Sequence, residues 1–180
     1  FVLSHFPLSK NAQNYSFFSI PETFRTKLRL FLRFICSFHK YVIPLRAQNL
    51  NMLKFLSLGS GSSGNCYILY TETDGLMIDC GVGIRTLKKH LYNYGVPLSL
   101  IHHIIVTHDH ADHIKSVGTL SSDYHIPVWA TQSVHHGIFR NWSVRKKVDE
   151  PFRRFIEKGE TQTIGEFAVT PFSVPHDSID

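Results

Sequence analysis

The sequence predicts a mixed α/β fold, a two-layer core in which short strands and then alternating strands and helices occupy residues 52–180. Three observations carry this reading. Runs of five to seven largely apolar residues are bounded by turn signals: MLKFLSL at 52–58, CYILY at 66–70, LMIDC at 76–80, IHHIIVT at 101–107 and IPVWA at 126–130. Between the later runs, apolar residues recur at helical spacing. The third is composition. With 180 residues, 43% hydrophobic and 18% charged, the chain can bury the core of one ordinary domain, which excludes collagen-like and disordered classes.

The elements follow in order from Met52. After the first strand, GSGSSGN at 59–65 is a glycine-serine loop leading into CYILY, and TETDG at 71–75 is a turn before LMIDC. Ile84, Leu87, Leu91 and Tyr94 mark one face of a helix that Gly95 and Pro97 end. IHHIIVT is dense in branched residues, the mark of a strand buried on both faces, and it runs straight into HDHADH. Ile114, Val117 and Leu120 predict a helix, Thr131 caps the helix TQSVHHGIFRNW, and EFAVTPFSVPH at 166–176 is the last strand.

Residues 1–51 differ in style. They hold eight of the fourteen phenylalanines and no aspartate, with seven Lys/Arg against one acid, whereas residues 52–180 hold twelve basic against thirteen acidic residues. The net charge of +5 therefore belongs to the leader. Arg25, Lys27, Arg29 and Arg33 interrupt its apolar residues, which argues against a secretory signal and a membrane span. Phe24, Leu28, Phe31, Ile35 and Phe38 fit a basic amphipathic helix on an anionic membrane surface. The favoured reading makes Met52 the true start and 1–51 translated upstream sequence, leaving 52–180 as the folded unit. Cys36, Cys66 and Cys80 are odd in number and show no CxxC spacing, which fits a reduced, cytoplasmic protein with buried thiols.

Two motifs compete for the chemistry. Gly59, Gly61 and Gly64 match G-x-G-x-x-G, but the segment after Gly64 is strand-like rather than helical, so the loop has no helix N-terminus for a pyrophosphate. It reads as a strand-to-strand connection. The second motif is Thr107-His108-Asp109-His110-Ala111-Asp112-His113, placed where a buried strand ends and a helix begins. His108 and His110 flank one residue and can converge on one ion; Asp112 and His113 come a turn later and can face a second. Imidazole nitrogen with carboxylate oxygen suits zinc and tolerates manganese or iron. Asp109 reads as a support of the loop. His90, His125, His135 and His136 read as surface or packing residues, and one of His102 and His103 as buried and hydrogen-bonded.

THDHADH resembles the T-H-x-H-x-D-H signature of the metallo-β-lactamase superfamily. MLKFLSLGSGSSGNCYIL, LMIDCG, IIVTHDHADHIKSVG and VTPFSVPHD together resemble its bacterial YycJ/VicX-like branch, over essentially all of 52–180 and none of 1–51. The resemblance implies an αββα four-layer sandwich of which 52–180 forms the N-terminal half. It implies two divalent ions, with His108, His110 and His176 holding the first, Asp112 and His113 beginning the second site, and Asp79 supporting the metal loop. The activity implied is hydrolysis by a metal-bridged hydroxide that Asp112 orients or deprotonates, with nucleic acid as substrate and 5′-to-3′ exonuclease action. Arg140, Arg145, Lys146, Lys147, Arg153 and Arg154, with Trp142 and Phe152 between them, can track a phosphate backbone, or form a solvated linker. The alternatives are a hydrolase of a small ester, thioester or lactam, and a catalytically incomplete metal-binding fragment. The superfamily's bridging aspartate and last histidine are not in this chain, so weak second-metal binding and an exposed apolar sheet face are expected.

Overall fold

The structure is a computed structural model that describes residues 2–3 and 52–174. Its centre is a six-stranded sheet in the order β2 (Lys54–Gly59), β3 (Cys66–Tyr70), β4 (Gly75–Ile78), β5 (Ile101–Ile105), β6 (Val128–Ala130) and β7 (Arg153–Phe155). The first three strands form an antiparallel meander and the rest run parallel to β4. Each parallel step is made by a crossover that carries helix: α1 (Ile84–Asn93), then α2 (Ala111–Ile114) with α3 (Val117–Tyr124), then α4 (Gln132–Arg140).

The strand side chains alternate between two cores, as a period of two demands. Ile68, Met77 and Ile104 join Leu87, Leu91, Ile114, Val117, Leu120, Val134 and Ile138 of the helices in one buried cluster. Their neighbours Leu69, Leu76 and Ile105 face the other way, against Ile164, Phe167 and Val169. Those last residues come from β8 (Gln162–Ile164) and β9 (Phe167–Thr170), an antiparallel pair whose outer partner is β1 (Val2–Leu3). The small sheet thus covers the apolar face that the sequence expected to be exposed: Leu69, Leu76 and Ile105 are at most 4% accessible.

Several boundaries differ from the sequence reading for identifiable reasons. The strand read as 76–80 ends at Ile78 because Asp79 adopts a left-handed conformation, φ 58°. The last strand is shorter than 166–176 and stops at Thr170, where Pro171 cannot donate to a ladder. Within the basic run at 145–154, Arg145, Lys146 and Arg154 stay exposed, while Val148 is buried and Arg153 begins strand β7. Thr131 caps α4 as expected, its hydroxyl accepting from the Val134 amide at 3.3 Å. Among the described residues no helix is long and apolar enough to cross a membrane.

Candidate metal centre

β4 and β5 are parallel and in register, Ile78 beside Ile105, so the segments after them emerge side by side at one end of the sheet. The first contributes Asp79 and the second Thr107 and the histidine turn. Asp79 is 2% accessible. Its Oδ1 accepts from the Thr107 amide at 2.8 Å, and its Oδ2 accepts from the Thr107 hydroxyl at 2.8 Å and from His113 Nδ1 at 2.8 Å. Because a carboxylate only accepts, His113 carries a proton on Nδ1, and in the neutral ring Nε2 is then the lone pair. The same logic passes through Thr107. Its hydroxyl donates its one proton to the Asp79 carboxylate, so it accepts from His108 Nδ1 at 2.9 Å, and in the neutral ring the Nε2 of His108 is then the lone pair.

The rings gather close together. The His108 centroid lies 4.0 Å from that of His113 and 4.6 Å from that of His110, and Asp112 Oδ2 lies 3.6 Å from His113 Nε2. His108 is buried, whereas His110, Asp112 and His113 are half-buried at the rim. Backbone bonds stitch the turn to its neighbours: Cys80 N donates to His113 O at 2.8 Å, Asn65 N to Asp112 O at 2.7 Å, and Gly81 N to Asn65 O at 2.9 Å. The approach is so close that a Cβ on Gly81 would stand 1.6 Å from the Asp112 carbonyl oxygen. On the far side, Asp109 supports the loop as expected, its carboxylate packed where a Cβ on Gly137 would lie and its carbonyl accepting from Asn141 Nδ2 at 2.9 Å.

The sequence reading missed three residues that organise this turn. Thr107 relays Asp79 to His108, Asn141 ties the turn to the end of α4, and Asn65 inserts its amide between Asp112 and His113. The structure therefore brings His108, His110, Asp112, His113 and Asp79 together. His176 lies outside the described residues. Arg145, Lys146 and Lys147 sit on the segment after α4, where Lys146 pairs with the Asp123 carboxylate and Lys147 Nζ donates to Asn141 O at 2.8 Å; Arg145 is exposed. Burial, reinforced by the Asp79 carboxylate, raises the Cys66 pKa, and burial with both Cys66 and Asp79 raises that of Cys80, so both stay thiols.

The donor chemistry fits a divalent metal: two imidazoles with their distal nitrogens held as lone pairs, a third imidazole and a carboxylate. Among the described residues, no group of three or more His, Cys, Asp or Glu side chains is placed so that it could hold a metal ion as it stands. Asn65 occupies Asp112 and His113 in this arrangement.

Residues 59–178 match the family model of the metallo-beta-lactamase superfamily, and the chain belongs to that superfamily. Membership implies divalent metal ions. Among proteins of established name it is similar to Exodeoxyribonuclease WalJ of Streptococcus pneumoniae serotype 2, at 31% identity over 126 residues, covering 70% of this chain and 46% of that protein. It is similar also to Exodeoxyribonuclease YycJ of Bacillus anthracis, at 28% identity over 134 residues, covering 71% and 47%. The chain spans about half the length of the curated relatives it matches. In fold it is similar to BJP-1, a subclass B3 metallo-beta-lactamase of Bradyrhizobium japonicum, with TM-score 0.57 and 17% identity over 72% of this chain and 52% of that one.

Proposed function

We propose that this chain carries the metal-binding half of a cytoplasmic, metal-dependent nuclease that hydrolyses phosphodiesters as a 5′-to-3′ exonuclease. In this reading His108 and His110, with His176, hold one ion, and Asp112 and His113 contribute to a second. The observation that carries it is the Asp79 network, which sets both His108 and His113 in the tautomer a metal requires. Zinc, or manganese or iron in its place, supplies Lewis-acid polarisation of a phosphoryl oxygen and an acidified water.

The chain's own residues do the rest. Asp79 keeps His113 from turning and, through Thr107, does the same for His108. Asp112 keeps one carboxylate oxygen on Asn65, so its other oxygen is the acceptor for a proton leaving the attacking water. Asn141 anchors Asp109 and is followed by Trp142, 90% accessible, with Arg140 and Arg145 exposed nearby in sequence. An exposed indole between guanidinium groups suits a nucleic-acid strand, stacking on bases while the cations meet phosphates. Lys146 and Lys147 contribute less, because their ammonium groups are already engaged.

The relatives named as exodeoxyribonucleases support DNA as the substrate class. The test is degradation of end-labelled DNA by this chain with added Mn²⁺ or Zn²⁺, beside hydrolysis of a chromogenic β-lactam. Metal-dependent release of nucleotides that Asp112→Ala abolishes is expected. Lactam turnover without DNA turnover, or no DNA turnover with any metal, overturns the reading for this chain.

A further inference from the structure

The Gly59–Asn65 loop has no helix N-terminus for a nucleotide and supplies none of the metal ligands named above, yet its last residue bonds to the centre through both side chain and main chain. The Asn65 amide is oriented without ambiguity: Oδ1 accepts from Gly61 N at 3.0 Å, whereas Nδ2 faces Gly61 O at 3.1 Å, Asp112 Oδ2 at 2.9 Å and His113 Nε2 at 3.0 Å. All three groups around Nδ2 are acceptors, so a flipped amide would set oxygen against oxygen and nitrogen against an N–H. The main chain is held on both sides as well, by Asp112 O at 2.7 Å and Gly81 N at 2.9 Å.

From this juxtaposition we propose that Asn65 is a positioning residue of the metal centre, one that fixes the Asp112 carboxylate through Oδ2 and releases His113 to an incoming cation. The argument is a count of hydrogens. A side-chain amide has two protons on nitrogen, and here three acceptors share them. One contact is therefore surplus. If a cation takes the His113 lone pair, both protons of the half-buried Asn65 amide still have partners in Asp112 Oδ2 and Gly61 O, and neither is left unsatisfied. Asp112 stays anchored through that exchange, with its second oxygen free to turn toward an ion or a water. Asn65 thus links the glycine loop to the chemistry by a route that costs the site no hydrogen bond on loading.

This inference rests on the metal-binding reading, and the experiment separates the two. Zinc affinity of the 180-residue chain is measured by calorimetry for the wild type, Asn65→Ala, Asp112→Ala and the double variant, with exposed Ser62→Ala as a neutral control. Asn65→Ala is expected to weaken zinc binding by about 10- to 100-fold. In the Asp112→Ala background the same change is expected to cost less than about threefold, because Asn65 acts through a carboxylate that is no longer there. Equal losses in both backgrounds mark a structural role only and overturn the proposal, as does an unchanged affinity in Asn65→Ala. A wild type that binds no zinc fails the underlying reading instead. In that event the nitrogen-15 shift of His113 Nε2 decides: Asn65→Ala is expected to move it, and an unmoved shift overturns the proposal on its own terms.

Discussion

Asp79→Asn isolates what the buried carboxylate does, because asparagine keeps the shape and, like aspartate, tolerates the left-handed backbone at φ 58°. Only one oxygen changes character. The amide oxygen can still accept from the Thr107 amide, now at 2.8 Å, but an NH₂ group replaces the Oδ2 that serves the Thr107 hydroxyl and His113 Nδ1, each at 2.8 Å. His113 then meets a donor where it had an acceptor. It either leaves its Nδ1 proton unsatisfied or moves that proton to Nε2, and the second course removes the lone pair a metal needs. The Thr107 hydroxyl also lies 3.1 Å from Oδ1, so the net loss is the charge-assisted hydrogen bond of His113 at a carboxylate side chain 3% accessible, where solvent offers no substitute. That is worth about 1.5–3 kcal/mol of folding stability. Metal affinity should fall by about 10- to 100-fold, the usual consequence of losing a ligand's hydrogen-bonding partner. Urea unfolding in the presence of a chelator reads the first quantity and zinc calorimetry the second. An unfolding free energy within about 0.5 kcal/mol of wild type, together with unchanged zinc affinity, refutes the reasoning, since a surface-like change of that size would mean the network carries nothing.

Two further expectations follow from close packing and from burial. Gly81→Ala must push the Asp112 carbonyl away from a Cβ that would stand at 1.6 Å, so thermal unfolding should show a loss of about 3 kcal/mol and zinc binding should weaken with it. Burial lowers the pKa of His135 against the raising effect of its bond to the Arg154 carbonyl, and burial lowers that of His103 against the raising effect of Asp74. A histidine whose pKa is depressed by folding binds fewer protons in the folded state, so its contribution is complete above the unfolded value of about 6.5 and is lost as pH falls below it. Unfolding in chelator should therefore show stability declining from pH 7 to pH 5, and declining less steeply in His135→Gln; stability that rises on acidification contradicts the assignment.

What the sequence made legible was whatever is written locally. The histidine turn packs His108, His110, Asp112 and His113 into six residues after a branched strand, and that density alone pointed to a metal. The strands from Lys54 to Ile105 and the cap at Thr131 were legible because alternation and capping are short-range properties. Asn65 was not, because it meets Asp112 across 47 residues and its own surroundings spell only a glycine-serine loop. The early end of β4 was hidden for a related reason: the left-handed turn at Asp79 is held by bonds to Thr107 and His113, which a strand-like run of apolar residues does not announce. Arg153–Phe155 looked like part of a charged linker. Among the described residues it is an edge strand of the six-stranded sheet, and basic side chains are at home on such an edge.

The central claim is that the turn from His108 to His113 binds a divalent metal through imidazoles that Asp79 and Thr107 hold in the ligand tautomer. Cobalt(II) reports this directly, because its visible bands register the nitrogen and oxygen atoms around the ion. Titration of the 180-residue chain should give saturable bands, and the double variant His108→Ala, His110→Ala should give none while keeping its far-ultraviolet circular dichroism. Bands of the same intensity and midpoint in the double variant would contradict the account, since the metal would then be held elsewhere.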